Sequence, residues 1–149
     1  MLYDYVHVLK CIRNNWLTEK MGELEYTWNG ETMIAKWSVL KDLYSLESEK
    51  FPKLSKLNET AVFPKPIERQ KVTTCLRIFC YETIAALENY PDIDQSNAHG
   101  TIQFLKIIVA FWKIVNTKAK DEDVIFDDPL RGVVESSGEP KLKINSVKN

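Results

Sequence analysis

The spacing of apolar positions along this chain predicts helices on either side of one short β-hairpin. In residues 4–18 the apolar side chains recur every three or four positions, which is the period of a helix with one buried face. From Leu24 to Trp28 apolar residues alternate with polar ones, and the pair Asn29-Gly30 follows. Because Asn and Gly tolerate positive φ, this pair indicates a tight turn between two strands.

Longer helices are predicted further along the chain. Helical spacing covers residues 37–46, and a polar stretch with prolines then predicts a loop up to Pro66. Beyond Pro66 one apolar stripe continues for about five turns, which predicts a single helix ending at Tyr90. Residues 101–117 are apolar on almost every side, as in a central helix packed all round. Residues 118–123 have the composition of a charged linker.

Together these elements predict a mainly α fold: a helical bundle with one small β-hairpin near the N-terminus and a disordered C-terminal tail. The tail comprises residues 136–149, which are polar and carry few large apolar side chains. A chain of 149 residues that is 44% apolar can bury one sizeable core.

Composition argues against several classes of protein. The formal net charge of −1 is unlike that of a dedicated nucleic-acid binder, which carries a basic excess. The cysteines Cys11, Cys75 and Cys80 have no regular spacing, so neither a disulfide framework nor a zinc site is expected. The apolar run 102–115 is too short for a bilayer, and no membrane association is expected. These features predict an intracellular protein, nuclear or cytoplasmic.

The first predicted helix carries a motif. Its polar positions form the pattern Asp-x-x-His-x-x-Lys-x-x-Arg-Asn, which resembles a segment of the P-element and THAP-type DNA transposases. The residues are Asp4, His7, Lys10, Arg13 and Asn14.

Three further pieces resemble the same family, in the same order along the chain. They are residues 56–72, which begin Lys-Leu-Asn-Glu and end Lys-Val, residues 111–116, Phe-Trp-Lys-Ile-Val-Asn, and residues 128–131, Asp-Pro-Leu-Arg. The resemblance covers residues 3–135.

The resemblance implies a layout for a larger protein. In such transposases an RNase-H-like fold holds three metal-binding carboxylates that cut and join DNA, and a helical insertion binds GTP without hydrolysing it for that chemistry. Residues 1–20 are then expected to end the RNase-H-like region and lead into the insertion, 21–135 to form the nucleotide-binding insertion domain, and 136–149 to be a flexible tail.

Two of the three catalytic carboxylates are expected before this chain and the third after it. The chain is therefore expected to be a fragment or relic of a transposase, with no catalytic residues, no metal site and no enzyme activity of its own. Transposon DNA would be reached only through the missing domains, which include the zinc-bearing THAP finger.

The resemblance also implies seven nucleotide-binding positions, Lys56, Lys71, Val72, Cys80, Trp112, Lys113 and Asn116. The two lysines Lys56 and Lys71 are expected to contact the nucleotide, with Val72 beside the second one. Trp112 replaces the family's aromatic residue and can stack on a base, and Asn116 is retained. Magnesium is expected only together with a bound nucleotide.

Two of these positions depart from the family pattern. Cys80 stands where a serine hydroxyl contacts the ligand, and a thiol is a weaker hydrogen-bond donor. Lys113 replaces an aspartate that pairs with the guanine edge, so a donor stands where an acceptor is needed. These changes predict that GTP binding is weakened or lost.

Two other functions are compatible with the sequence. The chain can be a small helical interaction module derived from a transposase, which pairs with itself or with a full-length transposase through its aromatic helices. Six basic residues can alternatively contact a DNA backbone, although such a run is more often a solvated surface. They are Lys50, Lys53, Lys56, Lys65, Arg69 and Lys71.

Overall fold

The computed structural model describes residues 5–49, 53–124 and 143–144, with 118–124 and 143–144 described by their backbone. The helices are α1 (Tyr5–Thr18), α2 (Trp37–Glu47), α3 (Glu59–Val62), α4 (Val72–Ile78), α5 (Tyr81–Asn89) and α6 (Gln95–Val124). The strands are β1 (Glu23–Trp28), β2 (Glu31–Lys36) and β3 (Lys143–Ile144), and 3-10 turns cover Lys20–Gly22 and Glu68–Gln70. The predicted class, mainly α with a hairpin near the N-terminus, is confirmed.

β1 and β2 form the predicted hairpin around Asn29-Gly30. Both turn residues have positive φ, 53° and 81°, which is the conformation that this pair tolerates. The strands pair antiparallel along their whole length, beginning with Glu23 opposite Lys36. Alternation of apolar and polar residues was therefore a sufficient signal for this part of the fold.

A third strand, β3, pairs with the free edge of β1, so that the sheet order is β2-β1-β3. Tyr26 of β1 lies opposite Ile144. The sequence did not indicate this strand, because two residues are too few to show an alternating pattern. The remainder of the predicted tail lies outside the described residues, as do Asp4 and the turn predicted at 128–131.

The prediction of a single helix from 66 to 90 is wrong, because the chain breaks into α4 and α5 at Phe79 and Cys80. Their dihedrals, φ −90° and ψ 75° for Phe79 and φ −150° and ψ 160° for Cys80, lie outside the helical region. The break turns the Phe79 ring into the core, with its centroid 6.3 Å from that of Trp16 and 6.5 Å from that of Phe104. Burying such a ring contributes about 1.5–3 kcal/mol, which outweighs the loss of helical continuity.

The last helix is longer than predicted, since α6 extends over 30 residues and not only over 101–117. Its start is capped by Asp94, whose carboxylate accepts a hydrogen bond from the backbone N–H of Ser96 at 3.1 Å. The segment 118–123, predicted as a linker, is also helical. Polar composition concealed both ends, because neither end carries the apolar stripe by which a helix is recognised in the sequence.

By length and composition, residues Gln95–Thr117 of α6 are sufficient to cross a membrane, so the apolar run is longer than the predicted 102–115. In this fold the helix is a core element, and its residues Phe104 and Leu105 are fully buried. Packing against other helices and the hairpin accounts for its apolar composition.

Aromatic rings from several elements form the centre of the core. The Trp16 ring of α1 lies edge-on to that of Trp37, at 4.9 Å between centroids, and to that of Phe104, at 5.2 Å. Both indole N–H groups donate to backbone carbonyl oxygens, Trp16 to Ala35 at 2.9 Å and Trp37 to Val62 at 3.0 Å. Each ring therefore buries its apolar surface without losing a hydrogen bond.

Tyr26 joins the hairpin to α6. Its hydroxyl donates to the carbonyl oxygen of Gly100 at 2.6 Å, and its buried ring lies 5.3 Å from that of Phe104. Burial raises the pKa of the Tyr26 phenol well above its ordinary value, because ionisation would place a charge in the core.

Stability is expected to fall as pH rises above about 10, the pKa of tyrosine in an unfolded chain. The folded protein keeps the Tyr26 proton at a pH where the unfolded chain has lost it, so the stabilisation is complete below the unfolded pKa and is lost above it. Urea unfolding between about pH 8 and 11 measures this decline, which Tyr26→Phe should reduce. The exposed Tyr81→Phe is the control, and equal slopes in all three proteins would contradict the prediction.

Candidate functional site

Lys71 and Val72 lie at the start of α4. Lys71 precedes the helix in extended conformation, with φ −94° and ψ 126°, and its side chain is exposed. Val72 is half-buried and packs against the core. The Lys71 side chain makes no capping hydrogen bond at the start of α4. Other groups must therefore hold the backbone that leads into this helix.

Three polar side chains of α1 hold that backbone. They lie on one face of the helix, because their positions are three and four residues apart. Lys10 Nζ donates to the carbonyl oxygen of Gln70 at 3.2 Å. Arg13 Nη2 and Asn14 Nδ2 both donate to the carbonyl oxygen of Arg69, at 2.8 Å and 3.4 Å. The Lys-x-x-Arg-Asn part of the sequence motif therefore fixes the start of α4.

The Arg13 side chain is fully buried, which is rare for a charged group. Its Nη1 donates to Thr74 Oγ1 at 3.0 Å and its Nε donates to Asn14 Oδ1 at 2.8 Å. These acceptors are neutral, and no carboxylate in the described part of the chain pairs with the guanidinium. Burial lowers the pKa of Arg13, a thiolate at the neighbouring Cys75 would raise it, and the positive charge of Arg69 lowers it further. A buried charge without a counter-charge costs several kcal/mol of stability. Other interactions must therefore offset the cost of burying the Arg13 guanidinium.

Lys56 lies at the other end of α4 from Lys71. Its side chain is exposed, and its carbonyl oxygen accepts a hydrogen bond from Arg77 Nη1 at 3.1 Å. The neighbouring Ser55 and Leu57 are buried and anchor this part of the loop. α4 has seven residues and is therefore about 10 Å long; Lys71 precedes its first residue, and Arg77, which contacts Lys56, lies near its last.

Cys80 lies between α4 and α5 and is half-buried. Its Sγ is 3.4 Å from the carbonyl oxygen of Arg77 and 3.3 Å from Thr83 Oγ1. The Thr83 hydroxyl donates to the same carbonyl at 2.8 Å, which satisfies an acceptor left open by the broken helix. Since the Arg77 guanidinium binds the backbone of Lys56, Arg77 links Cys80 and Lys56.

Trp112, Lys113 and Asn116 lie in the distal half of α6. Trp112 is half-buried against the core, whereas Lys113 and Asn116 are exposed. Asn116 is one turn beyond the other two, so all three lie close together on the helix surface.

A groove of about 440 Å³ separates α5 from α6 near these residues. Glu88 and Lys106 pair across it at 2.8 Å, and Tyr81, Val109 and Ala110 are among its lining residues. Lys113 follows Ala110 by three residues on the same face of α6. Cys80 immediately precedes Tyr81, which lines this groove together with Ala110.

The structure therefore distributes the seven predicted residues over three places. They are the start of α4 (Lys71, Val72), its end (Lys56, Cys80) and the distal half of α6 (Trp112, Lys113, Asn116). Tyr81, which follows Cys80, lines the same groove as Ala110 of α6, and α4 lies between Lys71 and Cys80. Contact of these residues with a nucleotide stays a prediction.

Comparison with known proteins shows the family to which this chain belongs. The family model of TNP-like, GTP-binding insertion domains matches residues 6–125. The chain belongs to this family. A similar solved structure is the Drosophila P element transposase strand transfer complex, with 21% sequence identity and a TM-score of 0.55. This likeness covers 71% of the present chain and 23% of that chain, so it shows a shared fold over less than a quarter of the relative's length.

No curated protein matches the chain. The resemblance to P-element transposases is confirmed by the family model and the solved structure. The domain boundaries at residues 20 and 135 stay predictions, and so does the link to the THAP type.

Arg77, which links Lys56 and Cys80 in this insertion domain, was not predicted from the sequence. It lies within the apolar stripe of a predicted helix, and spacing alone does not show which loop a long side chain reaches. Arg13 did carry a signal, because it belongs to the motif, but its burial and its acceptors follow only from the packing of α1 against α4. In the residues that the structure describes, no group of three or more His, Cys, Asp or Glu side chains is placed to hold a metal ion.

Proposed function

We propose that this insertion domain binds a guanine nucleotide weakly and without hydrolysing it, and that it has no DNA-cutting chemistry of its own. Membership of the GTP-binding insertion domain family over residues 6–125 supports a nucleotide as the ligand. The solved relative is a transposase in a strand transfer complex, and it is more than four times as long as the part shared with this chain. DNA transposition would therefore involve this domain only as one part of a larger protein.

The observation that carries the proposal is the way in which α1 holds the backbone before Lys71. Three donors fix the carbonyl oxygens of Arg69 and Gln70, the two residues that precede it. Lys71 is thus presented to solvent from a rigid backbone, which reduces the entropy lost on binding. An exposed ammonium group is a suitable point charge for a phosphate oxygen.

The residues fit the phosphate end of a nucleotide better than its base end. Lys56 and Lys71 are both exposed cations. At the base end, Trp112 and Asn116 suit stacking and hydrogen bonding, but Lys113 between them has no acceptor for the amino and imino groups of guanine. We therefore expect little preference for guanine over adenine.

Lys71→Ala is expected to weaken GTP binding about tenfold, because a hydrogen bond to a charged group contributes about 1.5–3 kcal/mol. Tryptophan fluorescence during titration with GTP, GDP and ATP measures this, with Trp112 as the expected reporter. Lys20→Ala is the matched control, since this exposed lysine lies in the turn before β1 and should leave the affinity unchanged. Lys113→Asp should restore an acceptor and raise the preference for GTP over ATP.

Saturable quenching that is weakened in Lys71→Ala and retained in Lys20→Ala supports the proposal. A flat response of the unchanged chain to all three nucleotides would remove it. Equal weakening in both lysine variants would show only a general effect of charge, and would also count against a specific site.

A second candidate function is the interaction module. Ile67 is 71% exposed and Phe63 is 48% exposed, both in the segment between α3 and α4. Large apolar side chains at the surface favour a protein partner, and a second copy or a full-length transposase is the expected one. Light scattering after size exclusion tests self-association: Ile67→Ser should shift a dimer to monomer, and a monomer at every concentration excludes this form of the module.

A further inference from the structure

Positive charge accumulates between α1 and the segment that precedes α4. We call this cluster the basic corner and define it as Lys10, Arg13, Arg69 and Lys71. Arg13 is fully buried, Lys10 and Arg69 are half-buried, and Lys71 is exposed. The corner therefore runs from the interior to solvent.

No carboxylate of the described residues forms an ion pair with the basic corner. Arg13 donates only to neutral oxygens. Glu68 is the nearest acid in sequence, but its Oε1 accepts the backbone N–H of Lys65 at 2.8 Å. Cys75 beside Arg13 supplies no charge either, because burial raises the pKa of its thiol.

Arg69 provides a second, independent observation. Its Nε is buried and has no hydrogen-bond partner among the described residues. Buried donors in folded proteins almost always have a partner, so this Nε–H is a donor that a bound ligand can use. A guanidinium also presents paired N–H groups whose geometry matches two oxygens of a phosphate.

We propose that the basic corner is a phosphate-binding site with Arg69 as its main contact. Lys10 and Lys71 supply charge at its mouth. Arg13 is a positioning residue, because it is fully buried and acts through the Arg69 carbonyl that it holds and through its charge. The phosphate groups of the nucleotide are the expected occupants of this site. The inference therefore deepens the proposed function, and it rests on that function for the molecule that carries the phosphate groups.

Inorganic tripolyphosphate is the probe, because it has the phosphate chemistry without a base. It is expected to raise the Tm of the intact chain, and calorimetry should show binding that Arg69→Gln weakens about tenfold or more. Lys20→Gln removes the same charge at an exposed position in the turn after α1 and should bind as the unchanged chain does. Arg69→Lys keeps the charge but loses the paired donors. Its affinity for tripolyphosphate should therefore lie between that of Arg69→Gln and that of Lys20→Gln.

The outcomes separate this inference from the nucleotide proposal. In one outcome tripolyphosphate binding needs Arg69, guanosine does not bind, and GTP binds no more tightly than tripolyphosphate. This outcome supports the basic corner and contradicts the nucleotide proposal. GTP binding that Arg69→Gln leaves unchanged overturns the corner alone. Absence of tripolyphosphate binding, or equal weakening by Arg69→Gln and Lys20→Gln, also overturns it. Far-UV circular dichroism of each variant, with Arg69→Lys as the conservative substitution, distinguishes lost binding from lost folding.

Discussion

Gly100→Ala is expected to destabilise the protein by about 2 kcal/mol or more, although Gly→Ala inside a helix normally stabilises by about 0.5–1 kcal/mol. Gly100 lies in α6 where the helix crosses β2. A Cβ at this position would overlap the carbonyl oxygen of Ile34 and lie 3.0 Å from its backbone C and N atoms. Because these are backbone atoms, no side-chain rotation can relieve the overlap, and α6 must move away from the sheet.

That movement would also disturb the hydrogen bonds beside the crossing. The Tyr26 hydroxyl donates to the Gly100 carbonyl oxygen at 2.6 Å, and the Lys36 backbone N–H donates to Thr101 Oγ1 at 2.8 Å. Thermal unfolding should show a decrease in Tm of about 4–8 °C. Ala110→Gly, at an exposed position of the same helix, measures helix propensity alone and should cost about 1 kcal/mol. A Tm for Gly100→Ala equal to or above that of the unchanged chain would show that the close approach is absent.

Glu47→Ala is expected to lower the free energy of unfolding by about 3 kcal/mol, because it removes the acceptor of two buried donors of Ser55 and of two partly buried donors of Leu54 and Tyr90. Glu47 is 1% exposed at the end of α2. Its Oε2 accepts from the backbone N–H groups of Leu54 and Ser55, at 3.0 Å and 2.9 Å, and from the Tyr90 hydroxyl at 2.9 Å. Its Oε1 accepts from the Ser55 hydroxyl. One side chain thus ties the loop after α2 to the end of α5.

Urea unfolding of Glu47→Ala, Glu47→Gln and Glu49→Ala tests this role. Glutamine keeps one acceptor for the backbone donors and loses the charge, so its cost should be about 1 kcal/mol. Glu49 is exposed two residues further on, and its removal should change stability by less than about 0.5 kcal/mol. Because Ser55 precedes Lys56, Glu47→Ala should also loosen the loop that carries this predicted contact. Equal stability of the two alanine variants would contradict the assignment.

Several local features were predictable because neighbouring residues decide them. The three- and four-residue spacing of 4–18 corresponds to α1, and the alternation before Asn29-Gly30 corresponds to the hairpin. The motif and the three pieces after it indicated a family that the family model confirms. The positions of Lys56, Lys71 and Lys113 could be named in advance, but not the distances between them.

The errors have a common physical origin. The stripe from Val72 to Tyr90 was compatible with one helix, yet a helix broken at Phe79 buries more aromatic surface in the core. The polar residues before 101 gave no apolar period, yet the Asp94 cap allows α6 to begin there. In each case contacts between distant segments, or a cap, outweighed a weak local preference.

By itself, then, the sequence determined the helix-rich class, the hairpin and the family, since these depend on periodicity, turn residues and short motifs. Tertiary structure alone decided that Arg13 is buried without a described carboxylate partner, that Gly100 is where α6 meets β2, and that α1 holds the start of α4. Such features depend on which side chains meet across long separations in the chain. Those contacts follow from the shape of the packed core, and the local spacing of residues in the sequence does not determine them.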